Sequence, residues 1–205
     1  MTSIATILNS ESEHTKILSL AGSLGDELNI DTYIVGGYVR DLLLNRKTND
    51  IDIMVEGDAI QFANYLAAKL KVGTVVEFPE FQTALIPYSD IEIEIASARK
   101  ESYRDKSRKP IVEKCTIDED LSRRDFTVNA MAASLMKKNY GELNDPHGGI
   151  GDLQRKILIT PLEPETTFKD DPLRILRGVR FSSQLNFSLA SNVKDAMISQ
   201  KKHLD

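Results

Sequence analysis

Two aspartates set two residues apart, in Asp50-Ile51-Asp52-Ile53, follow closely on a glycine pair in the run Ile34-Val35-Gly36-Gly37-Tyr38-Val39-Arg40-Asp41. Side chains alternate along a strand, so Asp50 and Asp52 project from one face while Ile51, Ile53 and Val55 take the other. Hard oxygen donors so placed suit Mg²⁺, which takes one or two carboxylates and completes its shell with water and substrate phosphates. Gly36 and Gly37 let backbone N–H groups approach a phosphate, and the helix N-terminus beyond them adds a favourable dipole. Arg40 has the fork geometry to clamp a triphosphate, its plain alternative being an ion pair with Asp41. Together these features describe a site for transferring a nucleotide.

Further acids and bases extend the pattern. Glu92 and Glu94 in Ile91-Glu92-Ile93-Glu94-Ile95 alternate in the same way, and on a neighbouring strand they offer a third carboxylate for two divalent ions. They read equally as the wet face of a half-exposed strand. For Asp50 and Asp52 that alternative is weaker, because like charges held close repel unless a cation lies between them. In Arg123-Arg124-Asp125-Phe126-Thr127-Val128-Asn129, adjacent arginines beside an aspartate at a helix start suit a phosphate and a ribose hydroxyl. Capping with surface ion pairing is the alternative. Thr127 and Asn129 read as packing or supporting residues.

A basic row follows at Arg174, Arg177 and Arg180 behind Asp170-Asp171-Pro172. Arg174 and Arg177 are helix neighbours that repel unless an anion or a base sits beside them. Asp171 also reads as an N-cap with proline at the first helical position. Arg180 turns away from Asp171 on a straight helix, so only a ligand of nucleotide size reaches all four. From Arg99 to Pro110, six basic residues face Glu101 and Asp105, leaving a local charge of +4, which reads as a solvated face or loop.

The elements that must position these groups follow from periodicity. Residues 11–29 carry Ile17, Leu18, Leu20, Ala21, Leu24 and Leu28 at helical spacing. Tyr33–Val35 reads as a buried strand, Val39–Leu44 as the helix after the glycine turn, Asp50–Val55 as a strand and Gly57–Leu70 as a helix. Thr74–Phe78 and Thr83–Pro87 form a hairpin pair, and Ile91–Ala96 is a further strand. Residues 99–118 read as a loop, Asp125–Ala132 as part of a helix, Ser134–Leu143 as a hairpin and Asn144–Gly149 as a turn cluster. Beyond Pro161 strand signals stop, and Leu173, Leu176 and Val179 with Ile175 mark an amphipathic helix. Residues 190–205 read as a helix cut off without a stop signal.

The chain has 205 residues and a net charge of −5, which argues against a broad nucleic-acid-binding surface. It shows neither a signal peptide nor a membrane-spanning run, and its single cysteine, Cys115, excludes an intrachain disulfide, so the cytoplasm is the expected compartment. His14, His147 and His203 are too scattered to form a metal-ligand pattern.

Taken in order, Gly36-Gly37-Tyr38-Val39-Arg40-Asp41, Asp50-x-Asp52, Arg123-Arg124-Asp125-Phe126-Thr127-Val128-Asn129-Ala130 and Asp171-Pro172-Leu173-Arg174-x-x-Arg177-x-x-Arg180-Phe181 resemble the bacterial class II tRNA nucleotidyltransferase and poly(A) polymerase family. The resemblance implies an α+β architecture: a β-polymerase-type head over residues 1–160, a small mixed sheet flanked by helices, and then an all-helical neck over residues 161–205. It implies that the chain stops within the neck and that body and tail domains are absent. Carried over by position, Asp50 and Asp52 would ligate Mg²⁺ with Glu94 as third acid, and Gly36, Gly37 and Arg40 would meet the triphosphate. Arg124 and Asp125 would meet the sugar and phosphate, and Asp171, Arg174, Arg177 and Arg180 would line the incoming nucleotide. One departure stands out: the family's Glu-Asp pair before the helix is Asp170-Asp171 here, which puts a supporting role for the first acid in doubt.

The implied reaction is attack of an RNA 3′-hydroxyl, in this family that of a tRNA acceptor end, on the α-phosphate of CTP or ATP with release of pyrophosphate. Asp171 and Arg174 would replace a template, since a carboxylate accepts from an exocyclic amine and a guanidinium donates to the adjacent ring nitrogen. Cytosine and adenine share that edge; uracil and guanine present a carbonyl instead. CCA addition to tRNA is favoured on biological grounds, with A-only addition or poly(A) synthesis as the other enzymatic readings. A non-catalytic nucleotide- or RNA-binding module is the reading of a different class.

Overall fold

The computed structural model describes residues 3–8, 12–103 and 110–204, and the side chains of residues 99–114 lie outside that description. The basic cluster of residues 99–110 therefore falls outside the described side chains. A short helix α1 (Ala5–Leu8) precedes α2 (Glu13–Leu28), which starts where the Ser12 side chain accepts from Thr15 N. Next come β1 (Thr32–Val35), α3 (Gly36–Leu43), β2 (Asp50–Val55) and α4 (Ala59–Leu70), whose start is capped by Asp58. The strands β3 (Val76–Phe78), β4 (Thr83–Tyr88) and β5 (Ile91–Ser97) follow, then β6 (Arg99–Tyr103) and β7 (Pro110–Lys114). The chain continues through α5 (Ile117–Ser122), β8 (Ala132–Ser134), β9 (Leu143–Asn144), α6 (Gly149–Arg155) and β10 (Ile157–Leu158). It closes with α7 (Pro164–Asp170), α8 (Leu173–Leu185), β11 (Ser188–Leu189) and α9 (Ser191–Gln200).

Seven strands form one mixed sheet in the order β3-β4-β5-β2-β1-β8-β9, antiparallel except for the parallel pair β2 and β5. That exception sets the site. It brings Asp50 opposite Glu92 and Asp52 opposite Glu94 on the same sheet face. The other face carries Ile51, Ile53, Ile93 and Ile95, all buried with Phe62 and Leu66 of α4 and Ile17, Leu18 and Leu24 of α2. Along the acidic face polarity ends at Met54 and Ala96, which join Leu121 of α5 in a second apolar cluster.

Four expectations need correction. Asp125–Ala132 is not helical: the helix lies earlier, at α5, followed by a 3-10 turn over Thr127–Asn129 and then β8. The whole stretch from Asp125 to Met136 is buried, so no exposed face exists for a helix to show. Residues 99–118 are not simply a loop, because β6 and β7 pair antiparallel and α5 begins at Ile117. On α8 the buried row is Ile175, Gly178 and Phe181, whereas Leu173, Leu176 and Val179 face outward. Finally, β11 interrupts the helical C-terminal part and pairs parallel with β10. No helix among the described residues is long and apolar enough to cross a membrane.

Candidate active site

The glycine bend sits at the end of β1. Gly36 has φ +66, in the left-handed region, and its N–H donates to Met131 O at 3.0 Å. A Cβ at Gly36 would lie 2.7 Å from Arg124 Nη1, so a guanidinium occupies the room a side chain would need. Asp52 is next to it, with Oδ2 3.8 Å from the same point.

Asp52 is only partly exposed, and its pKa is pushed up to about 6, first by desolvation and then by Glu94 and Asp50, against the opposing pull of Arg124 and Arg40. The carboxylates of Asp50, Asp52 and Glu94 accept no hydrogen bond and form no ion pair with described residues. Among the described residues no three acidic, histidine or cysteine side chains converge tightly enough to hold a metal ion unaided. The face nevertheless fits a hard divalent cation. Its donors are all oxygen, no ion pair with a described residue neutralises them, and the raised pKa of Asp52 is relieved by a cation. A shell completed by substrate phosphates is the natural form of such a site.

Opposite these acids lies a cleft of about 540 Å³ whose lining includes Gly37, Arg40, Asp52, Arg124, Asp125, Asp171, Arg174, Arg177 and Arg180. Asp171 and Arg180 border the same space, since the cleft has the size of a nucleotide. Gly36, Asp50 and Glu94 do not line it; the two acids stand beside Asp52 on the sheet face.

The arginines are held by acids. Buried Asp120 accepts from Arg123 Nη2 through Oδ1 at 2.6 Å and from Arg124 Nε through Oδ2 at 3.1 Å. Arg40 gives Nε and Nη2 to Asp41 at 3.0 and 2.7 Å and Nη1 to Asn129 Oδ1 at 2.7 Å, so the Asp41 pairing is realised even as Arg40 borders the cleft. Asp125 accepts from Phe126 N and Asn129 Nδ2 through Oδ1, and from Arg177 Nε through Oδ2 at 2.6 Å. The Phe181 ring has the guanidinium carbons of Arg40, Arg177 and Arg180 at 5.3, 5.2 and 5.1 Å from its centroid. Asp171 divides its work: Oδ1 accepts from Leu173 N at 3.0 Å, and Oδ2 is 3.7 Å from Arg174 Nε.

Sequence reasoning missed Asp120, Phe181 and the linking role of Asn129. Asp120 had a signal, an acid three and four residues before two arginines on one helical turn. The contacts of Asn129 and Phe181 with Arg40 are made across the fold and leave no local trace.

Residues 32–159 match the Poly A polymerase head domain. The chain belongs to this family. Over 162 residues it is 46% identical to an A-adding tRNA nucleotidyltransferase of Aquifex aeolicus, covering 79% of this chain and 19% of that protein. The chain also resembles solved structures. A Thermotoga maritima CCA-adding enzyme complexed with tRNA aligns with TM-score 0.83 and 35% identity, over 98% of this chain and 46% of that one. A CCA-adding enzyme with ATP aligns with TM-score 0.85 and 36% identity, over 98% and 45%. The chain thus spans less than half the length of these relatives.

Proposed function

We propose that this chain is the catalytic part of a tRNA nucleotidyltransferase that adds CMP and AMP units, from CTP and ATP, to a tRNA 3′ end. The observation that carries the reading is the register of Asp50 and Asp52 against Glu92 and Glu94, beside a glycine bend and an arginine-lined cleft of nucleotide size. Relatives named A-adding and CCA-adding enzymes, with solved forms carrying tRNA and ATP, support it.

In this reading residues 1–160 form the head and residues 161–205 begin a helical neck. Family nucleotidyltransferases generally use divalent metal ions, and we infer Mg²⁺ held by Asp50 and Asp52 with Glu94 as third acid. Bound there, it supplies a lowered pKa for the attacking hydroxyl and charge neutralisation for the triphosphate. The RNA 3′-oxygen forms a bond to the α-phosphorus, the α–β anhydride bond breaks, pyrophosphate leaves and the hydroxyl proton passes to solvent. Gly36, Gly37 and Arg40 meet the triphosphate, and Arg124 with Asp125 the sugar and phosphate. Asp171 and Arg174 read the base edge, flanked by Arg177 and Arg180.

A-only addition is a second reading, favoured by the higher identity to the A-adding relative. Both are tested by incubating the protein with labelled CTP or ATP and tRNA truncated at its 3′ end. Product length separates CCA from A-only addition. Metal-independent nucleotide binding with no incorporation would point to a non-catalytic module instead.

A further inference from the structure

Five side chains from three separate stretches are joined through one neutral amide. Asp41 holds two nitrogens of Arg40, and the third, Nη1, donates to Asn129 Oδ1. Asn129 Nδ2 donates to Asp125 Oδ1 at 3.1 Å, and Asp125 Oδ2 accepts from Arg177 Nε. The row therefore runs from α3, beside the glycine bend, through the 3-10 turn to α8, and its arginines at both ends border the cleft.

The chemistry at its centre is restrictive. A guanidinium only donates and an ionised carboxylate only accepts. Arg40 and Asp125 each already answer to another charge, Asp41 and Arg177. The group between them must accept on one side and donate on the other without adding charge. An asparagine amide does this with fixed planar geometry. Aspartate would set a like charge against Asp125, and a serine hydroxyl is too short to span both partners. Asn129 is 5% exposed, so water has little access to take its place. The Phe181 ring lies against the guanidinium groups of both Arg40 and Arg177, bracing the two ends on one surface.

We propose that Asn129 is a positioning residue that couples the glycine-bend end of the cleft to its α8 end, fixing the aim of Arg40 and of Arg177 together. The inference rests on the nucleotide-site reading, since a ligand spanning the cleft is what benefits from two guanidiniums aimed in advance. Asn129 itself borders the cleft, and the Arg177 resonance rather than the affinity separates aiming of the guanidiniums from direct contact.

The test uses Asn129→Ala in the whole protein, with two readouts. The first is the Arg177 Nε–H resonance without ligand, expected to exchange slowly in the wild type because Nε–H donates to Asp125 Oδ2. Asn129 does not touch this group, yet the variant is expected to broaden it or bring it into fast exchange. The second is the affinity of the folded variant for Mg·CTP, expected to fall about tenfold. A merely structural role would lower the melting temperature and leave both readouts unchanged. Should Asn129→Ala not fold, Asn129→Ser is read in the same way. An unchanged Arg177 signal, or an affinity within twofold of wild type, overturns the proposal. A wild type that binds no nucleotide but shows the coupled arginine signals overturns the nucleotide-site reading and leaves the coupling standing.

Discussion

Arg124 fills the space that a side chain on Gly36 would take: a Cβ there would come within 2.7 Å of its Nη1. Because Gly36 also has φ +66, Gly36→Ala carries two separate costs. The backbone term is about 1–2 kcal/mol. The clash adds little stability cost, because the obstructing atom is the end of a flexible side chain, but it displaces Arg124 from the site. Chemical denaturation should report the first cost and CTP titration the second, with affinity falling at least fivefold. An Arg124→Ala variant should lose affinity without the backbone term.

Asp120 is buried and holds two guanidiniums that are only partly exposed. Asp120→Ala removes these charge-assisted bonds and should cost about 2–3 kcal/mol in urea unfolding. Nucleotide affinity should fall as well, because Arg123 and Arg124 lose their common anchor. A loss below about 0.5 kcal/mol would mean that solvent already supports both arginines.

Asp52 should give a pH dependence of opposite sense to that of a salt-bridged acid. Its pKa is raised to about 6 from 3.8, so between these values the folded chain holds more protons than the unfolded one. Stability is therefore fully present below the unfolded pKa and is lost as pH rises through the folded one. The loss is of order 2–3 kcal/mol. In a chelator, Asp52→Asn should stabilise the protein near neutral pH and flatten this segment of the stability curve. With Mg²⁺ added, only the wild type should recover stability.

Asp171→Ala should relax nucleotide choice, letting UTP and GTP compete with CTP and ATP in incorporation assays. Loss of the Oδ1 contact to Leu173 N should cost about 1 kcal/mol in addition. Asp171→Asn keeps a side-chain acceptor for that contact but not the charge, so altered choice without the stability loss would assign the two roles separately.

Much of this architecture was legible from local pattern. The alternation in Asp50–Val55 and Ile91–Ala96 gave both strands and the inward isoleucines, and the run after Ser12 gave α2 with Ile17, Leu18, Ala21 and Leu24 buried and Leu20 and Leu28 partly so. The α8 helix was legible as a helix but not in its orientation. It carries three rows at a spacing of three residues: arginines, leucines with valine, and Ile175-Gly178-Phe181. The glycine makes the third row look less hydrophobic than the second, yet Gly178 packs inward, where a Cβ would sit 2.9 Å from Phe126 Cζ. Residues 125–132 misled for the opposite reason, since burial on every side erases periodicity. The parallel pairing of β2 with β5 is a long-range event that no local signal encodes, and the acidic face depends on it.

In the proposed site the acids on β2 bind a nucleotide through divalent cations within this cleft. Calorimetric titration of CTP into the wild type and Asp52→Ala, each in Mg²⁺ and again in chelator, tests it most directly. Wild-type binding should depend on Mg²⁺ and fall at least tenfold both in chelator and in the variant. Equal affinity under all four conditions would contradict it.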